Sequence, residues 1–265
     1  MMAGMGPRVF VKRSASAPAG FFTTEAAGLR WLAAAGGAPV VAPLEVGTHH
    51  LELEYIPSAS ASAQAAREFG AGLARIHTAG ADAYGTLPPG AQQYFFGPLA
   101  TPLALPTAES DIFGVFYADT RIAPVLGRAL ETGVADPVLA EAVDRVCRDL
   151  RAGRWDGPDA APPAPARIHG DLWSGNLLWA PSGPVLIDPA ACGGHPEADL
   201  AMLALFGAPH LEDIRAGYDE VSPPLPGRAQ RVALHQLFPL LVHLLLFGRG
   251  YAAATRDAAT ALLES

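Results

Sequence analysis

Lysine and asparagine are all but missing from this chain of 265 residues. Lys12 is the one lysine among 18 basic side chains, and Asn176 is the one asparagine. Cysteine is scarce too: Cys147 and Cys192 are too few for a disulfide framework, so the expected compartment is the reducing cytosol. No Cys-x-x-Cys pair occurs, and His77, His195, His235 and His243 show no metal-ligand spacing, which argues against a zinc site. Long apolar runs are absent as well. The greasiest segment, Leu237 to Phe247, spans 11 residues, against the roughly 20 a helix needs to cross a bilayer, so it reads as a buried core helix. The start, MMAGMGPRVF, lacks the apolar stretch of a secretory signal and gives no sign of a transit peptide. Positive charge is short, with a formal net charge of −8. That disfavours nucleic-acid or anionic-membrane partners and suits a cationic substrate. No internal repeat of roughly 20 to 50 residues is visible, which argues against a solenoid.

What is present is a globular composition, half of it apolar, long enough for one large domain or two unequal lobes. Residues 8–12 alternate like a strand, and FFTTEAAGLRWLAAAG then repeats apolar residues at helical spacing behind a possible Thr cap. APLEVG and HLELEYI read as a hairpin turning at Thr48 and His49, its second strand ending at Pro57. Small residues 58–63 form a joint. SAQAAREFGAGLARIHTAG places Phe69, Leu73, Ile76 and His77 on one helical face. A Pro/Gly-rich excursion over 80–111 has no clear element. Helices are expected over 112–131, broken or kinked at Pro124, and over 137–152. After the linker DGPDAAPPAPA, the segment ARIHGDLWSGNLLWAPSGPVLIDPA reads as a strand, a tight polar loop and a hairpin turning at Ser182 and Gly183. From about 197 onward the chain is mostly helical.

The chemistry concentrates in that last segment. In HGDLWSGN, His169, Asp171 and Asn176 fit the spacing H-x-D-x-x-x-x-N of a kinase catalytic loop, and Asp188 follows. Phosphoryl transfer needs an acceptor beside the attacking hydroxyl and two oxygen ligands for the magnesium that neutralises the triphosphate. Asp171 fits the first need; Asn176 and Asp188 fit the second. A chain that has shed nearly all its lysine and asparagine keeps one of each where such a site demands them. A lysine offers a compact charge that can sit between phosphate oxygens and a carboxylate, where a planar guanidinium cannot. Glu25, on the first helix, is the candidate carboxylate for Lys12. The plainer readings stand beside these: Asp171 as a turn residue, Lys12 as a solvated surface charge, and His169 as a residue that holds the loop by hydrogen bonds rather than a base. Asp199 is either a helix-start cap or a brace behind the loop. Ser174 lacks the G-x-S-x-G setting of a hydrolase elbow.

HGDLWSGNLLW, GPVLIDPAACGGHPEADLAM and LHQLFPLLVHLLLFGRGY resemble the fructosamine kinases (ketosamine-3-kinases), relatives of the aminoglycoside phosphotransferases within the protein-kinase-like fold. FFTTEAAGLRWLAAAG and FYADTRIAPVLGRAL are similar to further segments of that family. The resemblance implies an α+β, two-lobed architecture: a β-rich N-lobe over residues 1–57 and a helical C-lobe over 58–265. It implies a cytoplasmic, ATP- and magnesium-dependent kinase that phosphorylates a sugar hydroxyl of a small-molecule or protein-bound ketoamine, after which the adduct falls apart. By the same resemblance Asp171 orients or deprotonates the hydroxyl, Asn176 and Asp188 bind magnesium, Lys12 steadies the phosphates and Glu25 positions Lys12. Glu54 and Ile56 would offer backbone groups to adenine. The family carries two strands and a glycine-rich turn ahead of its lysine strand, whereas 11 residues precede Lys12 here, and Gly4 and Gly6 cannot rebuild that hairpin. The expected result is an exposed sheet edge and fewer amides around the phosphates. A smaller departure is Gly248-Arg249-Gly250, where the family runs glycine. Two other readings stay open: a phosphotransferase for another hydroxylated amine, aminoglycoside-like or choline-like, and an inactive pseudokinase.

Overall fold

The computed structural model describes residues 8–155 and 163–264; Gly4, Gly6 and most of the DGPDAAPPAPA linker lie outside that range. The chain opens with β1 (Val9–Arg13), α1 (Phe21–Ala33), β2 (Pro43–Val46) and β3 (His50–Glu54). The three strands form one antiparallel sheet in the order β1-β3-β2. Lys12 lies opposite Leu51 in the β1–β3 register. β1 is therefore an edge strand among the described residues, and its Val9 and Phe10 are exposed, as the sequence led us to expect. The α1 helix begins earlier than its threonines suggested. Gly20, at φ 82°, turns the chain into Phe21, a left-handed conformation glycine adopts without Cβ strain. Thr24 lies inside the helix and donates its hydroxyl to the Gln93 carbonyl instead of capping.

The helix α2 (Ala63–Thr78) is capped by the Ser62 hydroxyl, which accepts from the Ala65 N–H. It buries Phe69, Leu73, Ile76 and His77, the face its periodicity announced. The excursion over 80–111 contains a short hairpin, β4 (Tyr94–Phe96) and β5 (Leu103–Leu105), whose register pairs Tyr94 with Leu105. Next come α3 (Phe113–Tyr117), a π-helical turn (Ala118–Ile122) and α4 (Ala123–Glu131). Pro124 comes just after the π-helical turn, inside a helical run that is unbroken from Phe113 to Glu131, so the proline coincides with a change of hydrogen-bond register, not with a break. After α5 (Pro137–Arg151) the segment singled out above folds as β6 (Ala166–Ile168), the catalytic-loop residues, β7 (Leu177–Ala180), β8 (Gly183–Leu186) and β9 (Cys192–Gly194). β6 pairs with β9, and β7 with β8.

Four more helices complete the chain: α6 (Glu197–Phe206), α7 (Leu211–Val221), α8 (Arg228–Phe247) and α9 (Ala252–Glu264). α8 contains the greasy segment and, by length and composition, meets the criterion for a membrane-crossing helix. It nonetheless buries Arg231, Leu234, His235, Leu237 and Leu241 against the protein interior, so it is a core helix. α2 and α7 approach so closely that small residues are required at the crossing. A Cβ on Gly70 would lie 1.9 Å from the Ile214 carbonyl oxygen, and one on Gly217 would lie 1.9 Å from that of Arg67. This contact fixes the rear wall of the catalytic loop.

Candidate active site

Two antiparallel pairs, β6–β9 and β7–β8, hold the residues 169–188 that face the small sheet. Lys12 projects from β1 and Glu25 from α1. The Lys12 Nζ lies 2.8 Å from both Glu25 carboxylate oxygens and 3.0 Å from Asp188 Oδ1. Its side chain is 11% exposed, so it is not a solvated surface charge. Burial alone would depress the Lys12 pKa, but Glu25 and Asp188 outweigh it and hold the ammonium above its ordinary value. Burial raises the Glu25 carboxyl, against the pull of Lys12. We read the pair as ionised, because an ammonium equidistant from two oxygens is the geometry of a charge-assisted bond.

Asp171 and Asn176 lie across the cleft from that pair. The Asn176 Nδ2 donates to the Asp171 carbonyl at 2.8 Å, to Asp171 Oδ2 at 3.3 Å and to the Asp188 carbonyl at 3.4 Å. Its amide nitrogen is thus spent on the loop, and its carbonyl oxygen is the atom left to offer. Asp188 adopts φ 54°, a left-handed conformation rare for a residue with a Cβ and concentrated at functional sites. Its carboxylate is 40% exposed. An amide oxygen and a carboxylate are both hard oxygen donors, so these two residues fit a magnesium ion. Desolvation pushes the Asp171 carboxyl up to about 8, opposed by Asn176 and helped by Asp188 and Asp199.

Behind the loop sits a second, sealed set of groups. Asp199 Oδ2 accepts from the His169 N–H at 2.8 Å, and Oδ1 accepts from the Gly170 N–H at 2.9 Å. His77 Nε2 donates to Asp199 Oδ2 at 3.0 Å, while His77 Nδ1 bonds the Tyr218 hydroxyl at 2.8 Å. Asp199 therefore braces the loop, although it also lies in the first turn of α6. His169 is structural: its Nδ1 accepts from the Asp171 N–H, and its Nε2 donates to the Ile187 carbonyl at 2.8 Å. Burial keeps its pKa low. Gly170, at φ 81°, passes so near the Ala190 carbonyl that a Cβ would meet its oxygen at 2.1 Å, so the loop is pinned from both sides.

The cleft encloses a cavity of about 310 Å³ bounded by Lys12, Glu25, Asp171, Asn176 and Asp188. The structure thus brings five of the seven residues singled out in the sequence to one cavity. Glu54 and Ile56 do not border it, and the Glu54 N–H is spent on the Ala42 carbonyl. Sequence patterns gave no position for several cleft residues. Phe95 to Leu99 come from the unassigned excursion, and Trp173, His243 and Phe247 line the side away from the sheet. Trp173 is exposed and Phe247 more so; an aromatic residue inside a polar loop was the signal that could have flagged the first. Spacing along the chain also hid that His195, Glu197 and His235 meet in space. Of these donors Glu197 and one His195 nitrogen are engaged, while His195 Nε2 and both His235 ring nitrogens have no hydrogen-bond partner. Both Glu197 oxygens accept from Arg231 at 2.7 Å, and His195 Nδ1 accepts from the Glu197 N–H.

The family described as "Fructosamine kinase" matches residues 1–265. A Synechocystis protein named a probable ketoamine kinase is 34% identical over 251 residues, which cover 92% of this chain and 79% of that one. The crystal structure of a Thermobifida fusca protein assigned as a fructosamine-3-kinase superposes with a TM-score of 0.88. It is 42% identical, with 98% of this chain and 87% of that one covered. A choline/ethanolamine kinase family protein of Mesorhizobium loti shares the fold alone, with a TM-score of 0.60 at 18% identity, over 98% of this chain and 83% of that one.

Proposed function

This chain belongs to the fructosamine kinase family, and from that premise and the cleft geometry we propose that it transfers a phosphoryl group from ATP to a sugar hydroxyl of a ketoamine. The observation that carries the reading is the single lysine, held between Glu25 and Asp188 and facing Asp171 across the cavity. Family membership implies ATP as phosphoryl donor. Asn176 and Asp188 would hold magnesium, which supplies positive charge to offset that of the phosphates. Lys12 adds a second positive charge, fixed in place by Glu25. Asp171 takes the proton of the acceptor hydroxyl as its oxygen bonds to phosphorus and the bond to the ADP leaving oxygen breaks. A carboxyl raised to about 8 is a stronger base than an ordinary aspartate, which suits this proton transfer. For adenine we propose the Glu54 carbonyl and the Ile56 backbone, at and just beyond the end of β3, since the Glu54 N–H is already bonded to Ala42.

Residues 1–57 and 58–265 are taken as the two lobes flanking the cleft. The acceptor lies against Trp173, His243 and Phe247, whose rings offer faces to a sugar and to the cationic amine attached to it. We place the protein in the reducing cytosol, since Cys147 and Cys192 are both free and buried.

The test is coupled ATP turnover with a small fructosamine as acceptor, run beside an aminoglycoside and choline. Turnover with the fructosamine alone is expected; turnover with another amine and none with a fructosamine would replace the substrate. A thermal shift with magnesium-ATP separates this from the inactive reading, because a ligand bound to the native state raises apparent stability. A shift without turnover on any acceptor would mean that the cleft binds but does not transfer.

A further inference from the structure

A second cavity, of about 400 Å³, shares no lining residue with the cleft. Its walls are mostly apolar, with Leu200, Ala201, Pro224 and Val232, yet Arg215, Arg228, Glu197 and His235 also border it. The volume lies in the range of small-molecule sites, which combine apolar walls with a few polar groups. Three buried polar atoms here have no hydrogen-bond partner: Arg228 Nε and both ring nitrogens of His235. His235 is 2% exposed, so solvent cannot serve it freely. An unmet donor at such depth is costly.

The charges favour an anion. Glu197 is the one acid on the wall, and Arg231 neutralises it through two bonds of 2.7 Å. The Arg228 Nε stands 3.7 Å from Glu197 Oε1, too far for a hydrogen bond. Its NH1 is taken by Asp219 at 2.6 Å, and Arg215 pairs with Glu212 at 2.9 Å. Neither of these acids borders the cavity. Among lining residues, two guanidiniums face one carboxylate that is already engaged. Burial, followed by the charge of Arg231, holds His235 neutral, with its pKa lowered to about 3, so one of its nitrogens carries a proton to donate. A divalent cation is disfavoured by the same groups, since each would set a positive guanidinium beside it.

We propose that this cavity binds a small organic carboxylate with an apolar body, its anionic end on Arg228 Nε and a His235 ring N–H and its body on Leu200, Ala201 and Val232. The site is separate from the cleft, so its occupant does not compete with nucleotide.

Benzoate is a suitable probe, with benzyl alcohol and benzylamine as uncharged and cationic controls on the full chain. Calorimetric titration and thermal shift should show benzoate binding, with at least a tenfold preference over both controls. Arg228→Gln should weaken benzoate roughly tenfold, the worth of one charge-assisted hydrogen bond. Because that change also breaks the Asp219 pair, Ala229→Trp serves as the second variant. Ala229 is exposed and borders the cavity mouth, so a bulky ring there should abolish binding while leaving the melting temperature without ligand intact. Equal binding of the three probes, benzoate binding that survives Ala229→Trp, or displacement of benzoate by magnesium-ATP would each overturn the proposal.

Discussion

Asp171 and Asp199 lie on opposite sides of the same loop, and their carboxyl groups are driven in opposite directions. Burial raises both. Asp199 ends below the ordinary aspartate range because His77 and the His169 and Gly170 N–H groups all donate to it. Asp171 rises to about 8 because one long bond from Asn176 is the only comparable donation recorded for its side chain among the described residues. Depth does not decide the charge of a buried acid; the number of donors aimed at it does. The sealed acid is held as an anion that fixes backbone, and the cleft acid is the one we propose as the base.

The sharpest way to break this contrast is to neutralise each acid in turn. Asp171→Asn should cut kcat by about 10² to 10⁴, the span of general-base catalysis, with the thermal shift by magnesium-ATP retained. The empty protein should melt no lower than wild type, since the change removes a poorly solvated carboxyl. Asp199→Ala should do the reverse. It strands three donors behind the loop, and breaking a buried pair of this kind costs about 3–5 kcal/mol, read as a lowered denaturation midpoint with activity falling alongside. If Asp199→Ala kept its stability and lost only turnover, the assignment of the two acids would be the wrong way round.

The pH profile sharpens the comparison further. A base must be deprotonated to act, so kcat/KM should fall as pH falls below the Asp171 pKa, approaching tenfold per pH unit. Opposite charge near a carboxyl lowers its pKa. With the cleft filled by magnesium-ATP, the acid limb of kcat should therefore lie at lower pH than that of kcat/KM. Stability carries the same signature. A carboxyl whose folded pKa lies above its unfolded value stabilises the fold while protonated, and that contribution is lost as pH rises toward about 8. Glu25, also raised by burial, adds a slope of the same sign. Asp171→Asn should flatten part of the decline in melting temperature between mildly acidic pH and about pH 8. A wild-type kcat/KM that does not vary from pH 5 to 8 would exclude Asp171 as the base.

The cleft half of this comparison was far more legible in the sequence than the sealed half. Asp171 and Asn176 lie five residues apart in a loop whose spacing is itself the motif, and Lys12 and Glu25 stood out because the chain has so little lysine. Asp199 could be read only as cap or brace, because its partner His77 is 122 positions away and meets it through the close crossing of α2 and α7. That crossing depends on Gly70 and Gly217, which look like weak points in a helical pattern until the neighbouring carbonyls are seen. The β4–β5 hairpin escaped for a different reason. Its strands are three residues long and lie among prolines and glycines, so pairing rather than propensity defines them. The start of α1 was misjudged because a left-handed glycine can open a helix as well as a threonine can cap one.

Tyr218 is the outermost group of the sealed set, and it bears the smallest prediction. Its hydroxyl bonds His77 Nδ1 at 2.8 Å, and Tyr218 is 2% exposed. Phenylalanine keeps the ring contact with His77, whose centroid lies 5.4 Å away, and removes only the oxygen. One buried imidazole nitrogen is then left without its partner, at a cost of about 1 kcal/mol, the low end for such a loss. Asp199 keeps all three of its donors in this variant, so the loop keeps its anchor. Tyr218→Phe should therefore lower the denaturation midpoint slightly while kcat and the KM for ATP stay near wild type. A large fall in kcat at unchanged stability would mean that the hydroxyl governs the charge of Asp199 through His77. The sealed acid would then be tuned from a distance, and the division between a fixed anion behind the loop and an exchangeable base in front of it would fail.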